Sequence, residues 1–343
     1  MSTSLPVLVT GGAGYIGSHA VLALRTRGTP VAVIDNLSTG FRFAIPDDVP
    51  FYEGDVGDSA LLARIFAERQ IGAVMHFAGS IIVPESVENP LKYYHNNTAN
   101  SRTLVEAVIK AGVRHMIFSS TAATYGIPAV SPVSEDVPKQ PINPYGWSKL
   151  MTEQMLADTA FAHDFNSCAL RYFNVAGADP LGRSGQSTAG ATHLIKVAVE
   201  AALGMRDSVG VFGTDYATPD GTGVRDYIHV SDLAQAHVLA LDALVEQPER
   251  SLTMNCGYGR GFSVLEVLDA VDRVAAPVTG RTLNRVLGPR RAGDPDSLIS
   301  DPARIKATLP WVPQHADLDQ IVAHALAWEQ KLAALRQNRQ DAA

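Results

Sequence analysis

The sequence is poor in cysteine, the residue on which disulfide scaffolds and most structural zinc sites depend. Its 343 residues contain two, Cys168 and Cys256, and neither lies in a Cys-x-x-Cys or Cys/His spacing. A disulfide framework and a zinc site are therefore excluded as the basis of the fold. We expect both cysteines to be small buried residues of a protein that works in the reducing cytoplasm.

Positive charge and long apolar runs are also scarce. Lys and Arg number 28 against 35 Asp and Glu, which gives a net charge of −7 and offers no positive field for a nucleic acid. The first six residues lack a basic region, and the apolar run after them ends at Thr10, too short for a signal peptide or a membrane span. We expect no nucleic-acid partner and no membrane contact. The 46% apolar content is enough to fill a core.

Short apolar segments that alternate with helical segments predict an α/β fold. Strands that are apolar on both faces and separated by helices form parallel sheets covered on both sides. The pattern therefore predicts a doubly wound parallel sheet of the Rossmann type. The predicted strands are 7–10, 31–35, 74–77, 116–119 and 168–171, and the predicted helices are 15–27, 59–69, 91–111, 145–163, 192–203, 263–274 and one around 318–326.

A glycine-rich turn follows the first predicted strand. Gly11, Gly14 and Gly17 leave the backbone N–H groups at the start of the next helix open to a pyrophosphate. Asp35 ends the second strand, where a carboxylate binds ribose hydroxyls and repels a 2′-phosphate. The combination predicts NAD rather than NADP, and the alternative is a glycine turn without a ligand.

Two further segments border the predicted nucleotide crevice. Asp55 and Val56 follow a short apolar run and could hold the adenine edge, although a plain turn carboxylate is an equally good interpretation of Asp55. Ala78 and Gly79 end the third strand, where close backbone approach is useful. His76 lies within that apolar strand, so we expect a hydrogen-bonded core histidine rather than a catalyst.

Tyr145 and Lys149 lie four residues apart and therefore on one face of a predicted helix. A tyrosine with a pKa of about 10 becomes a base near neutral pH only after roughly 4 kcal/mol of stabilisation of its phenolate. Lys149 and the positive nicotinamide ring of oxidised NAD are expected to supply it. Ser119 and Thr121 end the preceding strand, where Thr121 can hydrogen-bond a substrate hydroxyl.

Several motifs together resemble the extended short-chain dehydrogenase/reductases, and within them the family of UDP-glucose 4-epimerases. The resemblance covers nearly the whole chain, and the motif that ends at His229 is specific to the epimerase branch. The segments that carry it are 11–19, 35–37, 118–126, 145 with 149, 171–174, 220–229 and 290–294.

The resemblance implies a reversible inversion at C4 that interconverts UDP-glucose and UDP-galactose through a 4-keto sugar, with tightly bound NAD, in galactose metabolism. Tyr145 matches the base, Lys149 its partner and Thr121 the substrate hydroxyl residue. The cofactor residues it implies are Gly11, Gly14, Tyr15, Ile16, Gly17, Asp35, Asn36, Asp55, Val56, Phe77, Ala78, Gly79, Asn96, Ser119, Tyr145, Lys149 and Phe173, and the substrate residues are Thr121, Tyr145, Asn174, His193, Leu194, Phe212, Arg225, Arg291 and Asp294.

The resemblance also bears on organisation. It implies a NAD-binding Rossmann domain over residues 1–175 and a smaller α/β substrate-binding lobe over 176–343, with 230–260 returning to the first domain. It implies a homodimer through helices 91–111 and 145–163. Leu104, Val105, Val108, Leu150 and Leu156 are the candidate interface residues, and the alternative is that they only cover the sheet.

Two departures and two rival functions remain. Ile81 stands where some relatives carry a cofactor-contacting lysine, and Leu298 lies near a position that governs acceptance of N-acetylated sugars. A sugar-nucleotide 4,6-dehydratase carries an Asp-Glu pair after the threonine, whereas Ala122 and Ala123 follow Thr121 here and cannot move protons. A non-catalytic NAD-sensing module is the other rival, although it has no need of Tyr145 and Lys149.

Overall fold

The protein is built around a seven-stranded parallel sheet. The structure, a computed structural model, describes residues 5–291 and 293–341, with side chains to Arg336. The strands are β1 Val7–Thr10, β2 Val31–Asp35, β3 Phe51–Glu53, β4 Ala73–His76, β5 His115–Thr121, β6 Asn166–Tyr172, β7 Asn174–Ala176, β8 Val209–Phe212, β9 Val224–His229, β10 Leu252–Cys256, β11 Gly261–Ser263, β12 Arg285–Gly288 and β13 Ser297–Leu298. The central sheet has the strand order β10-β6-β5-β4-β1-β2-β3.

Helices cover both faces of this sheet and form most of the second, smaller part of the fold. Within the described residues, no helix combines the length and the apolarity that crossing a bilayer requires. The helices are α1 Tyr15–Thr26, α2 Ser59–Glu68, α3 Val83–Glu88, α4 Pro90–Tyr93, α5 Asn100–Lys110, α6 Pro144–Ala162, α7 Leu194–Ala202, α8 Val230–Glu246, α9 Val264–Thr279, α10 Ala303–Thr308 and α11 Leu318–Asp341.

The central strands bury side chains on both faces, as the sequence predicts for a doubly wound sheet. On one face Val9, Val33 and Ile117 pack with residues of α1 and α8. On the other face Leu8 and Ile34 pack with residues of α2, α5 and α6. Cys168 and Cys256 are buried and unpaired. The Rossmann-type fold class is confirmed.

A second core lies among α7, α9 and α11, where Ile195, Leu268 and Ile321 are fully or almost fully buried. Two small sheets flank this core: β11-β9-β13 with β7 on β9, and β12-β8. The helix α9 begins with a capping box, because Ser263 Oγ accepts from Glu266 N–H and the Glu266 side chain accepts from Ser263 N–H. Before β11 and α9, the chain passes through the first sheet once more as β10, which pairs with β6.

The predicted helix 91–111 contains a π-helical turn at Tyr94–Ala99, between α4 and α5. The wide turn directs the buried side chain of Asn97 to two other segments. Its Oδ1 accepts from Ser80 N–H at 2.7 Å, and its Nδ2 donates to Ser148 Oγ at 3.0 Å. Single π turns often lie at functional sites.

Four of the five residues that the sequence assigns to a subunit interface are assigned wrongly. Leu104, Val105, Val108 and Leu156 are buried in the core cluster against the sheet, and Leu150 is half-buried. Their apolar character reflects the covering of the sheet, since a side chain that packs on the strands cannot also contact another subunit. Exposed apolar side chains on α6 are instead found at Trp147 and Met151.

Gly177 follows β7 at a close approach between the two cores. Its φ is +84°, and its carbonyl accepts a hydrogen bond from Tyr15 Oη at 2.7 Å. A Cβ there would lie 2.6 Å from Cδ2 of His229. The imidazole cannot move aside cheaply, because its Nδ1 accepts from Ser231 N–H and its Nε2 lies 2.9 Å from His324 Nδ1.

We predict that Gly177→Ala lowers the free energy of unfolding by much more than Gly190→Ala. Both positions have positive φ, which costs an L-residue roughly 1–2 kcal/mol. A Cβ at Gly190 meets nothing within 4 Å, whereas overpacking at Gly177 adds roughly another 1–3 kcal/mol. Chemical denaturation of the two variants measures the difference, and equal losses would contradict the tight packing of Gly177 on His229.

Candidate active site

The turn after β1 is shaped for a ligand because two of its positions have no room for a side chain. A Cβ on Gly11, whose φ is +66°, would lie 2.5 Å from Ala78 N, and one on Gly17 would lie 2.2 Å from the Gly11 carbonyl oxygen. Gly14 is the N-cap of α1 and has no side chain that could cap the first N–H groups. The first N–H groups of α1 therefore face a cradle that fits the pyrophosphate of a dinucleotide.

Asp35 at the end of β2 fixes this turn and also borders the cleft. Its Oδ2 accepts from Ala13 N–H at 2.9 Å and its Oδ1 from Leu37 N–H at 2.8 Å. Burial raises the pKa of Asp35, and these two hydrogen bonds act against the rise. The remaining lone pairs of the carboxylate are suited to ribose hydroxyls.

Asp55 closes a turn and borders the same cleft. Its Oδ1 accepts from Gly57 N–H at 2.7 Å and from Asn100 Nδ2 at 2.8 Å, and its Oδ2 accepts from Asn36 Nδ2 at 2.9 Å. Val56 beside it is buried. The two interpretations of Asp55 are therefore compatible, because a carboxylate held by its own turn is also held at a fixed place in the cleft.

Tyr145 and Lys149 lie on the buried face of α6, near its N-terminus. Asn143 is the N-cap of this helix and accepts from Gly146 N–H at 2.9 Å. The Lys149 ammonium donates to the Ser119 carbonyl at 3.1 Å and lies 4.9 Å from the centre of the Phe118 ring. Burial lowers the pKa of Lys149 to about 8, whereas the negative charge of Glu153 acts to raise it.

The phenol of Tyr145 interacts with Thr121 rather than with Lys149. Burial raises the pKa of Tyr145, and a hydrogen bond with the Thr121 side chain lowers it. The sequence predicts that the charge of Lys149 helps to stabilise the phenolate, and in the structure the Lys149 ammonium is held by the carbonyl of Ser119 at the end of β5. The described side chains thus keep Tyr145 protonated, and a further positive charge is needed to turn it into a base.

The opposite side of the cleft carries two arginines from distant segments. The Arg291 guanidinium lies 4.1 Å from the centre of the Phe212 ring, in a stacked cation–π contact. Arg225 on β9 lies 3.6 Å from a carboxylate oxygen of Asp294. Planar guanidinium groups held in this way suit the oxygens of a diphosphate.

A single cleft of about 990 Å³ brings the sequence-predicted residues together. Each of these residues lines the cleft, although some belong to the first core and others to the second. The lining contains Gly11, Gly14, Tyr15, Ile16, Gly17, Asp35, Asn36, Asp55, Val56, Phe77, Ala78, Gly79, Asn96, Ser119, Thr121, Tyr145, Lys149, Phe173, Asn174, His193, Leu194, Phe212, Arg225, Arg291 and Asp294.

The lining also contains residues that sequence reasoning missed. These include Tyr172 and Tyr227, and their place in the motifs that carry the family resemblance is the sequence signal that could have identified them. Tyr172 Oη lies 2.7 Å from Ser119 Oγ. Ile81 belongs to an apolar lip of the cleft with Val83, Pro84 and Val87. Leu298 packs with Ala122, Tyr125 and Val133 in a separate small cluster.

His76 is a structural residue, as the sequence predicts. Its Nδ1 lies 2.7 Å from Thr10 Oγ1, and its Nε2 lies 2.8 Å from Ser101 Oγ. Burial and the charge of Lys149 lower the pKa of His76 to about 3. A neutral imidazole thus connects β1, β4 and α5 beneath the cleft.

Comparison with known proteins identifies the family. Residues 7–257 match the NAD dependent epimerase/dehydratase family. A UDP-glucose 4-epimerase of Azospirillum brasilense is 58% identical over 326 residues, 95% of this chain and 92% of that protein. The solved UDP-glucose 4-epimerase from Brucella ovis in complex with NAD is 44% identical with a TM-score of 0.90, over 94% of this chain and 98% of the other. The one from Bifidobacterium longum in complex with NAD+ and UDP is 39% identical with a TM-score of 0.88, over 95% and 98%. The chain therefore belongs to the NAD dependent epimerase/dehydratase family, and within it to the UDP-glucose 4-epimerases.

Proposed function

We infer that this chain interconverts UDP-glucose and UDP-galactose by inverting C4 of the hexose. The observation that carries the inference is that Tyr145, Thr121 and Lys149 line one cleft together with the glycine turn and two arginines. Incubation of the purified protein with UDP-glucose, followed by chromatography of the sugar nucleotides, tests it. Failure to form UDP-galactose would refute the function.

The residues of the glycine turn, Asp35 and Lys149 fit NAD. Gly11 and Gly17 leave the space and the N–H groups that a pyrophosphate needs, and Asp35 can accept from the adenosine ribose. Lys149 is fixed beside the end of β5, where its ammonium can hold the nicotinamide ribose. When bound, NAD supplies the hydride acceptor and returns the hydride, with a positive ring in the oxidised form.

Tyr145 is the group that moves the proton. Its Oη takes the proton of the 4-hydroxyl while C4 is oxidised, and it gives the proton back after the 4-keto sugar has presented its other face. Thr121 orients the hydroxyl and the phenol through its side chain. Both residues are almost fully buried, which keeps bulk water away from the ketone.

Arg225 and Arg291 hold the diphosphate while the sugar turns. Their guanidinium forks bind phosphate oxygens, Phe212 supports Arg291, and Asp294 accepts from the uridine ribose. The sugar is then the one part of the substrate free to rotate. The apolar lip at Ile81 and Val83 offers the rotating hexose no competing hydrogen bonds.

The 4,6-dehydratase alternative lacks its chemistry at this site. Elimination of water needs an acid and a base next to the residue that orients the substrate. Ala122 and Ala123 occupy the 3₁₀ turn that follows Thr121. Methyl groups provide neither function, so epimerisation is the reaction that the side chains support.

We also propose that the protein is a cytoplasmic homodimer. Two buried, unpaired cysteines suit a reducing compartment. The exposed Trp147 and Met151 lie one turn apart on α6, a helix that the family resemblance assigns to the subunit interface. Exposed apolar side chains of this kind are enriched in the centres of interfaces.

Tyr145→Phe is expected to lower kcat by at least about a hundredfold, the smaller end of the effect of a general base. The variant removes the oxygen that accepts the proton and little else. UDP affinity, measured by calorimetry, and the melting temperature should stay near those of the unaltered protein. Retention of near-normal epimerase activity would remove Tyr145 from its role.

Arg291→Lys is expected to weaken UDP binding by roughly tenfold, because lysine can neither stack on Phe212 nor form a fork. Arg290→Lys is the matched control. Arg290 is paired with Asp215 and lies over Tyr216. Calorimetric titration with UDP should show a change below twofold for the control, and equal losses in the two variants would mean that the phosphate clamp is assigned to the wrong residue.

Met151→Arg is expected to convert the dimer into monomers, since it places a charge at the proposed interface. Sedimentation velocity at micromolar concentration measures the change. Phe161→Arg is a control at a side chain that is 95% exposed near the other end of α6. A monomeric unaltered protein, or a dimer that survives Met151→Arg, would contradict the proposed interface.

A further inference from the structure

The end of β5 and one face of α6 are joined at three successive positions. On β5 these are consecutive residues, and on α6 they are spaced by four. The Thr121 side chain acts on the phenol of Tyr145 and lowers its pKa, the Ser119 carbonyl accepts from Lys149, and Ser120 Oγ donates to Glu153 Oε1 at 2.5 Å. Glu153 is thus the third member of a row whose first two members belong to the proposed active site.

The Glu153 carboxylate is buried and held from two sides. Arg171 donates from Nε to Oε1 at 2.9 Å and from Nη2 to Oε2 at 2.5 Å, while Ser120 occupies a further position on Oε1. The side chains of Glu153 and Arg171 are 9% and 4% exposed. A two-pronged pair of this kind fixes the orientation of both side chains.

Arg171 is in turn fixed by the sheet. It pairs in register with Ser120, across β5 and β6. Its Nη1 donates to Tyr125 Oη at 3.0 Å, and that hydroxyl donates to Asn255 Oδ1 at 2.6 Å. The carboxylate on α6 is therefore attached to β5, β6 and β10 at once, so a shift of α6 along the strand end would break several buried hydrogen bonds.

We propose that Glu153 is a positioning residue of the epimerase reaction: its carboxylate fixes α6 on the end of β5 and supplies the negative charge that faces Lys149. This proposal rests on the proposed function. Glu153 does not touch the reacting atoms. It acts through Ser120 and Arg171 on the placement of Tyr145, and through its charge on Lys149.

The charges around Lys149 make the second action specific. Burial lowers the pKa of Lys149 to about 8, and Glu153 raises it. The other titratable groups that face this centre are Tyr145 on α6, Tyr93 on α4, His76 on β4, and Arg171 and Tyr172 on β6. The tyrosines and His76 have pKa values shifted toward their neutral forms, so Glu153 is the anion of this group.

The sign of the effect follows from these charges. Loss of the carboxylate removes stabilisation of the ammonium and lowers the pKa of Lys149, so activity that needs the ammonium is lost at lower pH. Loss of the Arg171 guanidinium leaves the carboxylate uncompensated and raises the pKa of Lys149. A purely structural role for the pair would not move the two profiles in opposite directions.

The test is the pH profile of kcat for Glu153→Gln, Glu153→Asp and Arg171→Met. For Glu153→Gln we expect the basic limb to move down by about one pH unit and kcat at neutral pH to fall at least about tenfold, with KM within about threefold. For Arg171→Met we expect the limb to move up. For Glu153→Asp we expect the basic limb to stay at the pH of the unaltered enzyme, because the charge remains. We expect kcat to be lower, because the shorter side chain does not reach Ser120.

Thermal unfolding and UDP affinity are measured for each variant. Glu106→Gln, which changes an exposed carboxylate on α5, is the control and should change neither the pH profile of kcat nor its magnitude. Should Glu153→Gln or Arg171→Met fail to fold, Glu153→Asp decides, since a normal kcat in that variant overturns the positioning role. Unshifted limbs in folded variants overturn the electrostatic role. An unaltered protein that forms no UDP-galactose refutes the proposed function instead.

Discussion

Close backbone approach at the carboxyl edge of the central sheet is the constraint on which the site depends. Gly11 meets the backbone of Ala78, and Gly17 meets the carbonyl of Gly11, at distances that leave no space for a Cβ. This packing brings the ends of β1 and β4 to one level and opens the N-terminus of α1 to the cleft. The carboxylate of Asp35 then ties the same turn to β2 through Ala13. The cradle thus exists because Gly11 and Gly17 have no side chains. The ends of the neighbouring strands bring the other lining residues to it.

Burial sets the second condition on the chemistry. It raises the pKa of Tyr145 and lowers that of Lys149, so both groups are pushed toward their neutral forms. The positive ring of oxidised NAD, when bound, would favour the phenolate of Tyr145 but disfavour the ammonium of Lys149. One charge cannot satisfy both residues. In our proposal the carboxylate of Glu153 resolves this conflict, since its charge favours the ammonium of Lys149.

Local patterns predicted those features that depend on local physics. The strands β1 and β2 and the helix α6 were predicted within a residue of their observed bounds, because apolar runs and the Asn143-Pro144 start of α6 are local signals. Features that depend on tertiary contacts were not predicted correctly from the sequence. The valines of α5 have the same apolar pattern whether they cover a sheet or meet another subunit, and only the packed structure decides between the two. The hydrogen bond from Lys149 to the Ser119 carbonyl likewise depends on where the end of β5 lies.

The two cores divide the work of the reaction between them. Tyr145, Thr121 and the glycine turn belong to elements packed on the seven-stranded sheet, whereas Arg225 and Phe212 lie on strands of the small sheets beside the second core. In the reaction proposed above, a substrate held by its diphosphate on one side presents its hexose to groups anchored on the other side. Since the hexose is joined to the diphosphate through single bonds, it can turn over while both sets of protein groups stay fixed. The same two groups, Tyr145 and Thr121, then serve either face of C4, which is the geometric requirement for a reaction that ends by reversing its own first step.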